Sequence, residues 1–594
     1  MSPGALGEYA FEERVEFELL QRGWVRGQKT FSAELGIDTG EMFRFIGATQ
    51  IKSWERLIEL YGDQPAAQRQ FAQRVAAEID ARGVLDVLRQ GVRDRGVQID
   101  LAYFRPGHTL AADALAGYEA NVLTVARQLR YSVRETYRAI DMAFFVNGLP
   151  VATVELKNPN TGQDADRAIA QYRHDRDPNE VFFAKRALVH FAVDPDRAFV
   201  ATRLRGYDTQ FVPFNLGSSG PGKSGGAGNP TAPVGSYSVA YLWEQIWQRD
   251  NWLEILQRFI HVQPPEKKGA RENPHSSQRI FPRYHQWHAV QQMVAHAREH
   301  GAGHNYLVEH SAGSGKSNTI AWLAHRLSVL FNAANEPVFN KIIVITDRVV
   351  LDRQLQRTIF QFDHTPGVVK KIEEDSTELA AALDDATSKI VISTLQLYPY
   401  VLSKIAGLEL SGRRYAVIID EAHSSQGGDS AVRLKQALGA NAAAQEEDED
   451  YAEYLTRVRG RQPNLSYFAF TATPKSPTLK LFGTWDPDEV DLRTGDPGMY
   501  VPFHVYSMRQ AIEECYILDV LANYITYEAK WRLRNAAVDQ AESRTANPYV
   551  DKAKAKAALV RFAELHPTSL EQKAKLIVDD IHQLMPFRRV ARSG

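Results

Sequence analysis

Three groups of residues in this chain have types and spacings that can do chemistry. The first lies in LVEHSAGSGKSNTIAWLA at 307–324, a short apolar strand, a Gly-rich turn, a Gly-Lys-Ser step and an apolar helix. Gly313, Ser314, Gly315, Lys316 and Ser317 occupy the turn, the layout of a phosphate-binding P-loop. Such a loop works because backbone N–H groups and a helix N-terminus converge on phosphate oxygens. His310 stands where the usual first glycine of the pattern would be. A second stretch, GSSGPGKS at 217–224, matches the pattern letter for letter. Its surroundings, NLGSSGPGKSGGAGNPTAP, allow no following helix, so it is expected to be a flexible loop.

The second group follows the P-loop. AVIID at 416–420 reads as a buried strand ending in Asp420, with Glu421, Ala422 and His423 next. In that position Asp420 can hold Mg²⁺ through water, and Glu421 can orient and deprotonate an attacking water. SYFAF at 466–470 is a further strand, closed by Thr471-Ala472-Thr473-Pro474. Upstream, Gln286 in RYHQ offers an amide donor and acceptor suited to adenine. The third group is RAIDMAFFVNGLPVATVELKNP at 138–159. Two strands flank an Asn-Gly turn, which brings Asp141 back beside Glu155. Glu155 and Lys157, two apart, share a face. Two carboxylates and a lysine on one edge suit Mg²⁺, a metal-bound water nucleophile and charge stabilisation at a phosphate.

The elements that must position these groups alternate along the chain. Residues 43–125 are largely helical by apolar spacing, and the hairpin follows. The Gly/Pro/Ser stretch 216–236 reads as a long surface loop or linker. YLWEQIWQRDNWLEILQRFIHV at 241–262 reads as one or two apolar-faced helices whose Trp residues pack and which join the two halves. From about 275 to 485, IIVIT, IVIST, AVIID and YFAF are short apolar runs suited to a buried parallel sheet. NAAAQEEDEDYAEY at 441–454 reads as a solvated acidic face. With 594 residues and 44% apolar content the chain can hold several cores and lacks a run of 18 apolar residues. No membrane segment or signal peptide is read from it. One cysteine, Cys515, excludes a disulfide framework and fits a reducing cytoplasm. A net charge of −2 means that any DNA partner is held by local basic patches.

GSGKS, DEAH and TATP in this order resemble superfamily 2 helicases and translocases. TDRVVLDRQL (346–355) and ISTLQLY (392–398) fall where that superfamily contacts DNA, so Thr346, Asp347 and Arg348 are candidates for the DNA path. FVNGLPVATVELKNP, FPRYHQW, DEAHSSQGG, YLWEQIWQRD and FHVYSMRQAIEE resemble, more narrowly, the restriction subunit of type I restriction–modification enzymes. The resemblance runs from about residue 100 to about residue 530. It implies an α/β fold: a PD-(D/E)xK nuclease-like domain at 1–240, a helical joint at 241–274, a RecA-like doubly wound ATPase domain at 275–485, and the incomplete start of a second motor domain at 486–594. Asp141 is preceded by Ala-Ile where the motif name has Pro. Gln171 and Tyr172 resemble a Gln–Tyr signature of that nuclease, and the helix at 12–20 offers a glutamate to its metal site, with no residue singled out.

On this resemblance ATP and Mg²⁺ are the cofactors. Lys316 pairs the β/γ-phosphates, Ser317 and Asp420 hold Mg²⁺, Glu421 acts on water, and Asp141, Glu155 and Lys157 cut phosphodiesters. The implied function is ATP-driven translocation on duplex DNA coupled to its cleavage, with separate modification (methyltransferase) and specificity subunits as partners. Only about 120 residues follow TATP, without a second set of motor motifs, so the chain reads as truncated and its ATPase is expected to be weak or absent. Two other readings stand beside this one. One is a translocase or helicase whose nuclease-like hairpin is only structural. The other is a non-catalytic fragment that binds ATP and its partners.

Overall fold

Two seven-stranded sheets carry the three groups. The computed structural model describes residues 8–27, 30–107, 112–158, 163–263, 278–346, 355–360, 367–372, 376–385, 387–394, 413–421, 463–490 and 497–519. The acidic stretch 441–454, Asp347, Arg348, Ala422, His423 and everything from 520 lie outside the described residues.

The first sheet runs in chain order: β1 (Trp24–Arg26), β2 (Leu123–Arg130), β3 (Ala139–Val146), β4 (Leu149–Leu156), β5 (Val189–Val193), β6 (Ala198–Ala201) and β7 (Val212–Pro213). β1 and β2 are parallel, as are β4 and β5; the other neighbours are antiparallel. The Asn-Gly turn sets the centre of this sheet. Asn147 and Gly148 both have positive φ, 49° and 82°, as the tight turn joining β3 and β4 requires. Gly148 is also a point of close approach. A Cβ there would fall on the Asp38 carbonyl oxygen and lie 2.7 Å from the Met42 nitrogen. Both strands of the hairpin are buried on both faces, so their sequences read as apolar runs rather than alternation. Two helices flank the site end of this sheet, α1 (Glu8–Leu20) and α2 (Ala165–His174).

The second sheet is parallel throughout. Its strands are β8 (Asn305–His310), β9 (Lys341–Thr346), β10 (Val369–Ile372), β11 (Ile390–Thr394), β12 (Tyr415–Ile419), β13 (Leu465–Thr471) and β14 (His504–Tyr506). They are ordered β10-β11-β9-β12-β13-β8-β14. Alternate residues of β9, β12 and β13 enter two separate apolar clusters, one on each face. α3 (Tyr284–His300) precedes β8, and α4 (Lys316–Ser328) follows it. The strand–turn–helix layout read around Lys316 is therefore present.

One apolar core runs through both sheets. Residues 242–259 fold as three short helical segments whose Trp243, Trp247 and Trp252 are buried, as the packing reading expected. Trp247 packs on Phe144 of β3 and Phe191 of β5, Trp252 reaches Phe281, and Phe259 meets Trp322 of α4.

The stretch 216–230 departs from expectation. It is an ordered strap, not a flexible loop. Gly217 and Ser218 bond back to Gly228 and Gly226. The strap also docks on β14 and on α5 (Met508–Glu513): the Gly222 carbonyl accepts the Val505 N–H at 2.9 Å, and Ala227 N–H reaches Glu513 Oε2 at 2.7 Å. Its glycines permit close approach. A Cβ at Gly217 would lie 2.8 Å from Gln510 Oε1, and one at Gly222 would lie 3.0 Å from the His504 ring.

Beside the strap lies a chain of histidines, His310 and His504 buried and His288 half-buried. His310 Nε2 meets His504 Nδ1 at 2.9 Å, and His504 Nε2 meets His288 Nδ1 at 3.1 Å. Burial lowers the proton affinity of each, to about 3 for His310 and about 4 for His288. His310 thus fills the place of the P-loop's first glycine as a neutral, anchored ring.

Two measurements test this description. Gly148→Ala should cost about 2–4 kcal/mol, because it combines positive φ with a backbone clash. Gly96→Ala, also at positive φ but with nothing within 4 Å of the added carbon, should cost only about 1 kcal/mol. Equal losses in chemical denaturation would contradict the close approach at Gly148. The histidines set a pH dependence. The unfolded chain takes up their protons near the ordinary value of 6.5, whereas the native chain does not. Their effect on stability is therefore flat above about pH 6.5 and becomes a loss as pH falls from there towards about 4, near 1.4 kcal/mol per pH unit for each ring. His288→Gln should flatten the fall in thermal midpoint between about pH 7 and about pH 5 by one proton's worth; an unchanged slope would refute the neutral chain.

Candidate functional sites

The first site is built by the β3–β4 hairpin, with α1 and the end of α2 closing on it. Asp141 enters from β3. Its Oδ2 accepts the Leu156 N–H at 2.9 Å, and its Oδ1 accepts Gln128 Nε2 at 3.3 Å. Lys157, one residue past β4, lies 3.8 Å from Asp141 Oδ2 and donates to the Leu156 carbonyl at 2.9 Å. Glu155 has no exposed surface. Arg176, just past α2, donates to Glu155 Oε1 through Nε at 2.7 Å and Nη2 at 2.6 Å. Glu155 Oε2 is buried without a hydrogen-bond partner. Burial first, then the charge of Asp141, pushes the Glu155 carboxyl well above the ordinary range, and Arg176 opposes the shift.

A buried carboxylate oxygen lacking a donor, beside a second carboxylate, fits a hard cation. Among the described residues no group of three or more His, Cys, Asp or Glu is arranged to hold a metal. The pair Asp141 and Glu155 would therefore leave most positions to water and backbone carbonyls, which is how Mg²⁺ is ordinarily held.

Two neighbours come from far away in sequence. Glu12 of α1, one of the glutamates on the helix that the sequence left open, shares a partner with Asp141: Gln128 Nε2 lies 3.1 Å from Glu12 Oε2. Arg127 pairs with Glu12 at 2.8 Å and with Glu16 at 3.3 Å. Arg176 had no signal in the sequence beyond its charge. Tyr172 of the Gln–Tyr pair lies beneath the site, its hydroxyl 2.8 Å from Thr153 Oγ1.

The second site is the turn between β8 and α4, at the carboxyl ends of the parallel strands, where open α/β sheets bind ligands. Gly313 and Gly315 have φ of 72° and 78°. A Cβ at Gly315 would lie 2.5 Å from Gln286 Nε2, so at this positive φ any other residue would be strained and would displace that amide. Lys316 Nζ meets Glu421 Oε1 at 3.2 Å and the His310 carbonyl at 3.4 Å. Glu421 is held at φ 52°, unusual for a side chain of this kind and typical of a constrained functional turn. Asp420 directly precedes it, its N–H on the Ile345 carbonyl at 3.1 Å. The structure thus joins Lys316 to Glu421, two strands apart in the sheet. Ser317 opens α4, and the Ser314 hydroxyl is buried without a partner. Gln286 directs its amide into the loop: Nε2 donates to the Ser314 and Gly315 carbonyls at 3.1 and 3.0 Å, while Oε1 accepts the Arg283 N–H at 2.9 Å. An adenine contact would have to replace these bonds. Thr346 ends β9 with its hydroxyl buried.

No helix among the described residues is long and apolar enough to cross a membrane. Residues 87–212 match the family model for the N terminus of the type I restriction enzyme R protein, and residues 285–555 match that for SWI2/SNF2 ATPases. The chain is 24% identical over 381 residues to a putative type I restriction enzyme MjaIXP endonuclease subunit of Methanocaldococcus jannaschii, covering 60% of this chain and 31% of that protein. It is 26% identical over 407 residues to the type I restriction enzyme HindI endonuclease subunit of Haemophilus influenzae, covering 66% and 34%. The chain spans about a third of the length of these relatives. The solved SWI2/SNF2 ATPase core of Sulfolobus solfataricus in complex with dsDNA aligns over 33% of this chain and 32% of its own at 15% identity, with a TM-score of 0.20, too partial to add to the fold described above. An R-protein N-terminal region followed by a SWI2/SNF2 ATPase region, with type I restriction endonuclease subunits among the relatives, supports a superfamily 2 helicase-like type I R subunit.

Proposed function

We propose that this chain couples ATP-driven translocation on double-stranded DNA to Mg²⁺-dependent cleavage of that DNA, as part of a type I restriction complex. The observation that carries the reading is the buried pair Asp141 and Glu155, with one Glu155 oxygen lacking any donor, set against Lys157 and Arg176. The proposed division is a nuclease domain at 1–240, a joint at 241–274, an ATPase domain at 275–485 and the start of a further motor domain at 486–594. Modification and specificity subunits would supply recognition of the DNA sequence. A cytoplasmic setting is supported by the single cysteine.

In the cleavage site Asp141 and Glu155 would hold Mg²⁺, which when bound supplies an activated water and positive charge beside the scissile phosphate. Lys157 would sit against the same phosphate and offset its developing charge. Arg176 would keep Glu155 in one orientation by occupying its other oxygen. In the ATPase site the N–H groups of 313–317 would cradle the phosphates, and Lys316 would leave Glu421 to pair with them. Glu421, freed from that ion pair, would become the base that orients water, while Ser317 and Asp420 would hold the nucleotide's Mg²⁺.

The competing reading, a translocase with an inert nuclease-like domain, separates cleanly by mutation. Mg²⁺-dependent nicking of a supercoiled plasmid should fall by roughly 10²-fold or more in Glu155→Ala. It should persist in Lys316→Ala, which should instead lose nucleotide binding. Nicking that survives Glu155→Ala would remove the cleavage assignment and leave the translocase.

A further inference from the structure

The loop between β2 and β3, residues 131–138, leads directly into the strand that carries Asp141, and the proposed cleavage reading gives it no role. Its sequence is YSVRETYR, and Arg127 and Arg130 precede it on β2. Between 127 and 138 there are four arginines against one glutamate, in a chain whose net charge is −2.

The loop is held rigidly. Ser132 Oγ accepts the N–H groups of Arg134 at 3.2 Å and Glu135 at 2.9 Å, and donates to Glu180 Oε1 at 2.6 Å. The Arg138 guanidinium is spent on the Asp175 carbonyl and on Glu135. At the root of the loop Tyr131 is buried, its ring 4.7 Å from that of Phe183. Its hydroxyl lies 3.4 Å from Arg176 Nη1, the same guanidinium that grips Glu155. On the neighbouring strand Gln128 bonds to Asp141. The β2 end of this loop is therefore tied to both carboxylates.

The arginines that the loop presents outward are not neutralised. The side chains of Arg130 and Arg134 are exposed and make no ion pair or hydrogen bond among the described residues, while the Tyr137 hydroxyl donates to Glu135 Oε1 at 3.1 Å and leaves its ring in water. Val133 is 58% exposed and Tyr137 is 73% exposed. Arg130 pairs with Ala139 across the strands, two residues from Asp141 on the same face, which puts its Cα roughly 7 Å along the strand from the carboxylate's own position. A rigid turn that holds two unneutralised arginines and an aromatic ring in water, next to a carboxylate pair, has the chemistry of a nucleic-acid contact. The arginines suit backbone phosphates, and the ring suits a sugar or base face.

We infer that the β2–β3 loop is a DNA-backbone clamp of the cleavage site: Arg130 and Arg134 each neutralise a phosphate of the duplex entering it, and Tyr137 packs on the adjacent sugar–base surface. This rests on the cleavage reading above, and the two can fail separately. The test is the salt dependence of binding between the 594-residue chain and a fluorescent DNA duplex, without divalent metal so that nothing is cut. Each lost phosphate contact should lower the slope of log affinity against log salt by roughly 0.9. Arg134→Gln should therefore lower it by about 0.9, and the double variant Arg130→Gln/Arg134→Gln by about 1.8. Tyr137→Ala should weaken binding several-fold at an unchanged slope. Both changes replace exposed side chains, so thermal midpoints should stay at the wild-type value. Plasmid nicking by the double variant should drop at physiological salt and recover at low salt. An unchanged slope in the double variant overturns the clamp even if Glu155-dependent nicking is intact. Loss of association with a modification subunit, with the DNA slope unchanged, overturns it in favour of a protein-docking loop. A lowered slope in a chain that shows no nicking supports the clamp and counts against the cleavage reading alone.

Discussion

A carboxylate with no exposed surface cannot hold its charge in the middle of a sheet unless cations stand against it. Glu155 is such a group, and much of the N-terminal half is arranged around it. Leaving an ion of this kind unpaired costs several kcal/mol, more than any single surface interaction returns. Arg176 on Glu155 and Lys157 near Asp141 offset part of that cost, yet burial and the charge of Asp141 still hold the Glu155 carboxyl well above the ordinary range. The pairing is uneven in a useful way. Arg176 takes one oxygen of Glu155 with two donors and leaves the other bare, while both oxygens of Asp141 already accept from protein N–H groups. A divalent ion at the bare oxygen would favour the ionised form of Glu155 and supply the charge that the proposed cleavage reading needs beside a phosphate.

The P-loop site solves a related problem by the opposite route. Its surroundings hold His285, His310 and His504, all buried, and the half-buried His288, and desolvation lowers the proton affinity of all four. A charged ring at His310 would stand against Lys316, whose ammonium reaches the His310 carbonyl. The neutral chain leaves Lys316 and Arg283 as the cations at the loop, Lys316 paired with Glu421 and Arg283 on the Gly313 carbonyl. His310 in place of glycine is therefore compatible with the loop. The side chain points into the β8–β14 core and bonds to His504, while the backbone still turns at Gly313 and Gly315.

Local signals made most of this readable from sequence. The Asn-Gly turn fixed the hairpin and so the approach of Asp141 to Glu155, because two successive residues at positive φ admit few alternatives. The strand before Lys316 and the helix after it identified the P-loop against a better textual match, since only helix geometry converges N–H groups on phosphate. What stayed hidden was either distant or conformational. Glu12 lies 129 positions before Asp141 in the chain, and nothing in its helix marks it over Glu13, Glu16 or Glu18. Arg176 is one of several arginines after α2 until the fold sets it on Glu155. The strap was misread because glycine has two uses. In 216–230 it looked like freedom, yet at Gly217 and Gly222 it serves close packing against Gln510 and His504.

The strap and the tryptophan segment together restrict how the two sites can communicate. Phe144 and Phe191 of the first sheet pack on Trp247 and Trp252, Trp252 packs on Phe281, and Phe214 meets both Phe281 and Tyr284 at the start of α3. A buried aromatic of this size removes about 150–250 Å² from water. At about 25 cal/mol/Å² that is roughly 4–6 kcal/mol for each ring. Parting the sheets would expose several rings at once and cost a large fraction of a domain's total stability, which is typically about 5–15 kcal/mol. A wide hinge between Glu155 and Lys316 would have to break this packing. Under the proposed function, coupling between the two sites would therefore run through small shifts of side chains and of the strap, or through DNA held by both.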